Sequence, residues 1–260
     1  MAVALRQGIN LHKGLVGLTY MIIILTFGWP DQSPACAAAL FVGHTLYGLA
    51  WLFKDIHFPD PNFQREVPFY EAATAFLFCS AYNLPMFCLA SGKCFGSVTW
   101  ANDIMLMGMG LAAYTIGMLF HFGSDCQKYF TLKYQQPRSL ITNGFFAYTR
   151  NPNYFGEVLI YTGYAIWSRS LMVFAILLVM WDILFAPDMK KKDQSMSRYK
   201  DIATWKENAG LFFPGPSSAI SNFAFVTLNA PNDIVKLNDL FKVLKITHNK
   251  PCTPSHKYTP

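Results

Sequence analysis

Charged residues are scarce in this chain of 260 residues. They make up 14% of the sequence, whereas a soluble globular domain carries roughly 25%. The scarcity argues against a soluble two-domain enzyme, and the apolar share of 53% excludes intrinsic disorder for most of the chain. The aromatic share of 16%, with 23 Phe, is typical of lipid-facing helices, so the composition predicts a polytopic membrane protein.

Metal-binding and disulfide patterns are also missing. The six cysteines include no Cys-x-x-Cys pair, and most of them lie in apolar stretches. We therefore expect small buried hydrophobic side chains at these positions, with no disulfide framework and no metal site.

Six apolar stretches predict an all-α membrane bundle of about six transmembrane helices. The stretches cover residues 14–29, 35–53, 69–90, 104–122, 153–167 and 171–186. Only Ser168, Arg169 and Ser170 separate the last two, which should form a short helical hairpin. The first stretch follows Arg6 and Lys13 without a convincing small-residue cleavage site, so we expect it to remain as the first span.

The basic residues are distributed very unequally between the two sides of such a bundle. One side, with the two termini, the 54–68 loop and the 123–152 loop, holds 19 of the 21 Lys and Arg residues. The other side keeps only Lys93 and Arg169. By the positive-inside rule, both termini of this multi-pass protein lie on the positive-inside face.

The character of the chain changes after residue 214. Residues 214–218 read Pro-Gly-Pro-Ser-Ser, a linker between a transmembrane domain (1–214) and a C-terminal extension (215–260). Residues 233–246 carry apolar side chains at helical spacing between lysines, which predicts an amphipathic helix. That helix could lie on the membrane surface, dock on a partner in a membrane complex, or pack on its own domain.

The segment most informative about chemistry is residues 124–157, a predicted polar loop between two spans. Its last eight residues, 150–157, read Arg-Asn-Pro-Asn-Tyr-Phe-Gly-Glu. Asn151 suits an N-cap and Pro152 the first helical position, so a helix should begin here and point its free N–H groups at an anion. One face of that helix then carries Arg150, Asn153, Tyr154 and Glu157. The alternative is that Glu157 merely pairs with a basic side chain and pins the helix.

This segment resembles a known family in three strings. They are Ser-Asp-Cys-Gln-Lys at 124–128, Asn-Gly-Phe-Phe-Ala-Tyr at 143–148 and the string at 150–157. The family is that of the steroid 5-alpha-reductase C-terminal domains, which shares a superfamily with isoprenylcysteine carboxyl methyltransferases and related membrane methyltransferases. The resemblance covers roughly residues 124–214 and implies a helical membrane bundle with a cofactor site in this segment.

The resemblance also implies roles for individual residues. In the reductases, positions that match Asp125, Asn153 and Glu157 help to hold NADPH, and Tyr148 matches an aromatic residue. Arg150 matches instead an arginine of the methyltransferase motif, which belongs to the S-adenosylmethionine pocket. The complete set of predicted cofactor-binding residues is Asp125, Lys128, Asn143, Tyr148, Arg150, Asn153, Tyr154 and Glu157.

The segment after the last span favours NADPH over S-adenosylmethionine. The methyltransferases carry a Glu-Glu pair there, which this chain lacks, and Lys190, Lys191 and Lys192 stand in the same region. A run of lysines suits a polyphosphate cofactor better than a sulfonium zwitterion. The alternative is a membrane anchor that binds anionic lipid.

A catalytic pair is harder to place. The reductases use a Glu of an early span and a Tyr of the next to polarise a substrate carbonyl, and this chain has no match to the local motif of that Glu. By their chemistry, the candidates are Glu71 with Tyr70, and Tyr47 with His44. The alternative is that the tyrosines belong to the interfacial aromatic belt and that His44 is a packing residue.

Three functions follow as hypotheses. The first is an NADPH-dependent reductase of a conjugated double bond in a sterol or other lipid enone. The second is a family member without catalysis that serves as an accessory subunit of a membrane complex, with partners bound through residues 215–260. The third is an S-adenosylmethionine-dependent membrane methyltransferase. Membrane lipids and a lipid-like substrate are the expected partners, and nucleic acid is not. The resemblance implies the endoplasmic reticulum ahead of a mitochondrial membrane.

Overall fold

Helices dominate residues 2–215, the part of the chain that the structure, a computed structural model, describes. Their bounds are α1 (Arg6–Phe27), α2 (Pro34–His57), α3 (Pro61–Gln64), α4 (Phe69–Ser80), α5 (Leu84–Ser91), α6 (Asp103–Tyr134), α7 (Pro152–Ser168), α8 (Leu171–Met180), α9 (Ala186–Met196) and α10 (Ile202–Asn208). A π-helical segment, Trp181–Phe185, joins α8 to α9. Two short strands, β1 (Ala2–Ala4) and β2 (Glu66–Pro68), pair antiparallel and bring the starts of α1 and α4 together.

The all-α membrane bundle predicted from the sequence is confirmed. Within residues 2–215, five helical stretches are long and apolar enough to cross a membrane: α1, α2, α4 with α5, α6, and α8 with α9. The remaining predicted span, the fifth along the chain, is α7, whose 17 residues extend about 26 Å. This length is at the short limit for a spanning helix, and α7 packs along α6 with more than half of its residues buried.

The polar segment after the fourth predicted span is helical as far as Tyr134, which corrects the prediction of a loop over 124–157. α6 runs for 32 residues, about 48 Å, and so extends beyond a hydrocarbon core of roughly 30 Å. Its polar final turns keep an inward face, on which His121, Ser124 and Asp125 are buried. Asp125 therefore stands on a helix, and only residues 135–151 connect α6 to α7.

Two glycines allow α6 and α7 to approach closely. A Cβ atom added to Gly117 of α6 would lie 2.6 Å from the carbonyl oxygen of Gly156 on α7. A Cβ atom added to Gly156 would lie 2.6 Å from the carbonyl oxygen of Gly117. Small residues at helix contacts allow such backbone proximity in membrane bundles. Any side chain at either position would force the two helices apart.

Arg169 organises the bundle end that carries few charges. It lies in the connection between α7 and α8, which is as short as predicted, and it has a left-handed backbone with φ of 53°. Its guanidinium donates to the carbonyl oxygens of Val98 and Ala101 at 2.8 and 2.7 Å and to the Ser33 hydroxyl at 2.9 Å. It also lies 3.5 Å from the Asp103 carboxylate. One cation thus ties together the connections at this end.

A disulfide between Cys88 and Cys94 joins the end of α5 to the following loop at the same end. The prediction of buried free thiols is wrong for this pair. The sequence shows two cysteines in or near an apolar stretch, and only the fold shows that a turn brings them together. Cys36 is buried as predicted, and Cys79 and Cys126 are partly buried free thiols. Within residues 2–215, no group of His, Cys, Asp and Glu side chains is arranged to hold a metal ion.

The predicted C-terminal extension stays a prediction. Residues 216–260, which include the predicted amphipathic helix at 233–246, lie outside the described residues.

Candidate functional site

A buried ion pair joins two helices at the basic end, which we define as the end of the bundle where α2 and α6 finish and α7 begins. Lys54 of α2 binds the carboxylate of Asp125 of α6, and their side chains are 5% and 9% exposed. The Lys54 ammonium also lies 4.7 Å from the ring centroid of Trp51. Each of these buried charges stabilises the other. Without its partner, either charge would destabilise the fold, because its loss of hydration would not be compensated.

One cavity opens beside the ion pair, and a second cavity shares Lys128 and Leu132 with its wall. The first, of about 410 Å³, has the Lys54–Asp125 pair in its wall. The second, of about 210 Å³, is lined by four basic residues, with no Asp or Glu among its described lining residues. These four are Lys128, Arg150, Lys192 and Arg198. We call the two cavities together the basic cleft, and its size and charge suit an anionic ligand.

Arg150 and Asn151 open the string predicted to bind an anion, and they bind α9 and the chain that follows α10. Arg150 Nε lies 2.9 Å from Asp193 Oδ1, and the same guanidinium donates to the Ala209 carbonyl oxygen at 2.9 Å. The Asn151 amide donates to the Leu211 carbonyl oxygen at 2.9 Å and makes no cap bond to α7. The helix begins where predicted, but the predicted Asn151 side-chain cap is wrong, because the amide bonds to a distant part of the chain.

Asn153 and Tyr154 face the basic cleft and its border. Asn153 lines the second cavity, and its backbone carbonyl oxygen accepts a hydrogen bond from His121 Nδ1 at 3.2 Å. The Tyr154 ring stacks on Phe185 of the π-helical segment at 4.9 Å between centroids. Lys192 Nζ lies 4.1 Å from the centroid of the Tyr154 ring. The π-helical segment thus places the lysine run of α9 next to the predicted cofactor string.

Glu157 faces the interior of the bundle. Its carboxylate accepts a hydrogen bond from the Tyr161 hydroxyl at 3.1 Å, and no described ion pair joins it to Arg150. The Tyr161 ring lies edge-on to Tyr47, with 6.3 Å between centroids. Tyr47 is fully buried, and the ammonium of Lys13 lies 4.3 Å from its ring centroid. The interior end of the predicted string therefore reaches one of the predicted catalytic residues.

His44 and Tyr47 do not form the direct pair that their spacing predicts. Both are fully buried, and their ring centroids are 6.4 Å apart. His44 Nδ1 instead shares a hydrogen bond of 2.6 Å with the hydroxyl of Tyr20 on α1.

The structure does not bring Tyr70 and Glu71 to the cleft or to the interior cluster. Tyr70 is 67% exposed at the start of α4. Glu71 lies 3.5 Å from Arg65, whose side chain is 58% exposed. The surface position of this pair suits an interfacial role better than polarisation of a substrate.

Asn143 and Tyr148 contribute to the connection between α6 and α7. The carbonyl and side-chain oxygens of Asn143 both accept hydrogen bonds of 3.0 Å from Gln127. The carbonyl oxygen of Tyr148 accepts from the backbone N–H of Gly210 at 3.3 Å. Neither residue lines the second cavity, so both support the site from outside it.

Comparisons with known proteins agree with the resemblance predicted from the sequence. The family model described as PEMT, phospholipid methyltransferase, matches residues 97–187, which include α6, α7 and α8. The 3-oxo-5-alpha-steroid 4-dehydrogenase 1 of Bos taurus is 26% identical over 148 residues, 55% of this chain and 56% of the relative. The chain thus matches about half the length of this curated relative. No solved structure matches the chain. The resemblance to the superfamily of steroid 5-alpha-reductases and membrane methyltransferases is therefore confirmed.

Proposed function

We propose that this integral membrane protein is a reductase that uses NADPH to saturate the conjugated double bond of a sterol or other lipid enone. The observation that carries the proposal is the second cavity of the basic cleft, where Lys128, Lys192 and Arg198 meet without a carboxylate in the described wall. Lys and Arg side chains grouped in this way bind phosphate. The similarity to the bovine 3-oxo-5-alpha-steroid 4-dehydrogenase supports the same class of reaction.

The residues of the cleft fit a phosphorylated dinucleotide. Lys128, Lys192 and Arg198 would hold its phosphates, and Tyr199 and Trp205 offer aromatic surfaces in the same cavity. Asn153 adds an amide at the start of α7. Bound NADPH supplies a hydride for the β carbon of the enone, and a proton must reach the α carbon to complete the saturated ketone.

A membrane methyltransferase is the second candidate, and the family model over residues 97–187 favours it. The methyltransferase-like string begins at Arg150, whose guanidinium is occupied by Asp193 and by the Ala209 carbonyl oxygen. S-adenosylmethionine carries a positive sulfonium, which a cavity lined by basic side chains repels. The electrostatics of the cleft therefore support the reductase more strongly.

NADPH should raise the melting temperature of the purified protein in detergent, and S-adenosylmethionine should not. A ligand at 100 times its Kd stabilises a folded protein by about 2.7 kcal/mol, which is roughly 5–10 °C for a chain of this size. We expect the double variant Lys192→Gln, Arg198→Gln to lose most of this shift, because both side chains line the second cavity.

The control for that experiment is Lys191→Gln. The Lys191 side chain is 77% exposed, and its ion pair is with Asp188 on the same helix, so the NADPH-induced shift should persist. Stabilisation by S-adenosylmethionine alone would refute the reductase and favour the methyltransferase.

We also propose that the basic end faces the cytosol and that the opposite end faces the lumen of the endoplasmic reticulum. Disulfides persist in oxidising compartments, and the Cys88–Cys94 disulfide lies at the end of the bundle opposite to the basic cleft. The excess of Lys and Arg at the basic end supports the same orientation.

Thiol labelling at two exposed loop positions tests the orientation. Ser139→Cys places a thiol at the basic end, and Gln32→Cys places one at the opposite end. In sealed microsomes, an impermeant maleimide should label Ser139→Cys directly and Gln32→Cys only after detergent is added. The parent protein gives the background from its own cysteines, and the reverse order of labelling would contradict the orientation.

A further inference from the structure

Lys13 is buried inside the bundle without an ion-pair partner. The residue lies on α1, and only 3% of its surface is exposed. Within residues 2–215, no carboxylate lies within ion-pair distance of its ammonium, whereas Lys54 is paired with Asp125. A buried charge in a membrane bundle is costly, so a charged residue there usually has a function.

Three aromatic rings surround the Lys13 ammonium, and we call this arrangement the Lys13 cage. Nζ lies 4.3 Å from the ring centroid of Tyr47, 5.4 Å from that of Tyr82 and 5.5 Å from that of Trp51. Cation–π contacts offset only part of the cost of burying a charge. The aromatic rings also offer no lone pair to the N–H donors of the ammonium, so the cage suits a ligand that brings an oxygen acceptor.

A groove on the outer surface of the bundle lies between α1 and the α4–α5 pair. Its volume is about 500 Å³, which is within the range of ligand sites, and most of its lining residues are apolar. Leu15 of α1 and Phe87 of α5 line it and are 37% and 36% exposed. The groove therefore opens on the apolar surface of the spans, where lipid is the solvent.

The inner wall of the groove contains polar atoms without partners. His12 is 2% exposed and lines the groove, and its Nδ1 has no hydrogen-bond partner in the described structure. Its Nε2 lies 3.5 Å from the Asn83 amide nitrogen, and the amide oxygen of Asn83 also lacks a partner there. Such atoms are costly in a hydrocarbon environment. They indicate an occupant with a hydrogen-bonding group of its own.

The cage adjoins both the groove and the predicted cofactor string. Lys13 follows His12 in α1, and Tyr82 precedes Asn83, so neighbouring residues line the cage and the groove. On the other side, the Tyr82 ring stacks on Tyr161 with 4.5 Å between centroids. Tyr161 is the residue that donates to Glu157, the last residue of the string. The Lys13 cage thus has groove residues next to it in the chain and reaches the cofactor side through the contact of Tyr82 with Tyr161.

We propose that the groove and the Lys13 cage bind the acceptor lipid of the reaction, a lipid that carries a carbonyl group. The apolar body of the lipid lies in the groove, and its carbonyl oxygen accepts a hydrogen bond from the Lys13 ammonium. The choice of a conjugated carbonyl rests on the proposed reductase function. An ammonium at that oxygen draws electron density from the conjugated double bond, which makes the β carbon a better acceptor of a hydride.

The probe for this proposal is 4-cholesten-3-one, a lipid enone, added without NADPH to the full chain in detergent. A hydrogen bond from a cation to the enone oxygen moves the ultraviolet absorption band of the enone to longer wavelength. The wild-type protein should show this band shift. Lys13→Met, which keeps the length of the side chain without its charge, should lose it. Lys93→Met, at the opposite end of the bundle, is the control and should retain it.

Two tryptophan variants test the groove without touching Lys13. Leu15→Trp fills the groove, and we expect enone binding at least about tenfold weaker. Leu18→Trp alters the same helix at a residue that is 53% exposed and does not line the groove, so affinity should stay at the wild-type level. This pair decides whether the groove binds the enone even where Lys13→Met fails to fold.

The results that would overturn the proposal are specific. A folded Lys13→Met protein with the wild-type band shift would show that Lys13 does not bind the enone oxygen. Equal affinity in the two tryptophan variants would show that the groove does not hold the enone. A wild-type protein with the band shift but without NADPH stabilisation refutes the proposed function and leaves the acceptor site in place. NADPH stabilisation without a band shift refutes the acceptor site alone.

Discussion

Replacing Lys54 with methionine should lower the free energy of unfolding by about 3–5 kcal/mol, the usual cost of removing one partner from a buried ion pair. The Asp125 carboxylate would stay in place, with only 9% of its side chain exposed, and would lose its cation. For a chain of this size the melting temperature should fall by roughly 6–20 °C. Thermal unfolding in detergent measures the change.

Lys128→Met is the matched control for Lys54→Met. Lys128 lies on the same helix as Asp125 and lines both cavities, and no ion pair is described for it, so the change should stay within about 0.5 kcal/mol. A Lys54→Met protein as stable as this control would contradict the buried pair.

The double variant Lys54→Met, Asp125→Leu separates stability from binding. It removes both charges, so most of the lost stability should return. The NADPH-induced shift should not return with it, because Asp125 is one of the predicted cofactor-binding residues and lines the basic cleft. Recovery of both properties would show that the pair serves the fold alone.

The second large effect is expected at Gly156. Gly156→Ala would place a methyl group 2.6 Å from the Gly117 carbonyl oxygen, where backbone atoms cannot yield without a shift of α6 or α7. Overpacking of this kind costs about 1–3 kcal/mol and occasionally more. Because α7 carries Asn153 and Glu157, the shift should also weaken NADPH binding.

Gly108→Ala controls for the substitution itself. Gly108 lies on α6, and a Cβ atom there meets nothing within 4 Å. Loss of glycine in a helix interior should leave the stability unchanged or raise it by up to about 1 kcal/mol. If Gly156→Ala and Gly108→Ala melt at the same temperature, the close approach of α6 and α7 is not a source of stability.

The spans could be predicted because hydropathy is a local property of the sequence. The continuation of α6 to Tyr134 was missed because, outside the membrane, a polar helix and a polar loop have the same low hydropathy. A helical pattern was nevertheless present: His121, Ser124, Asp125 and Lys128 recur at the spacing of one helix face. Three of them are buried, so this face was a polar core and not a solvated surface.

The direction of individual side chains was not predictable from the string. Arg150 and Asn151 had the right chemistry for an anion, but their hydrogen bonds go to Asp193, Ala209 and Leu211, which lie far along the chain. For Lys13 and Lys54, the sequence hid a buried position instead. Read in sequence, each was a basic residue at the edge of an apolar run, and only the packing of neighbouring helices shows that it is buried.

Arg169 has a consequence for the order in which the chain is completed during synthesis. It bonds to Ser33, which precedes it by 136 residues, and to Val98 and Ala101 in a later connection. Translation produces α1, α2, α4, α5 and α6 before the cation that links their ends exists. The hydrogen bonds that close this end of the bundle therefore form only after the turn that follows α7 has been synthesised.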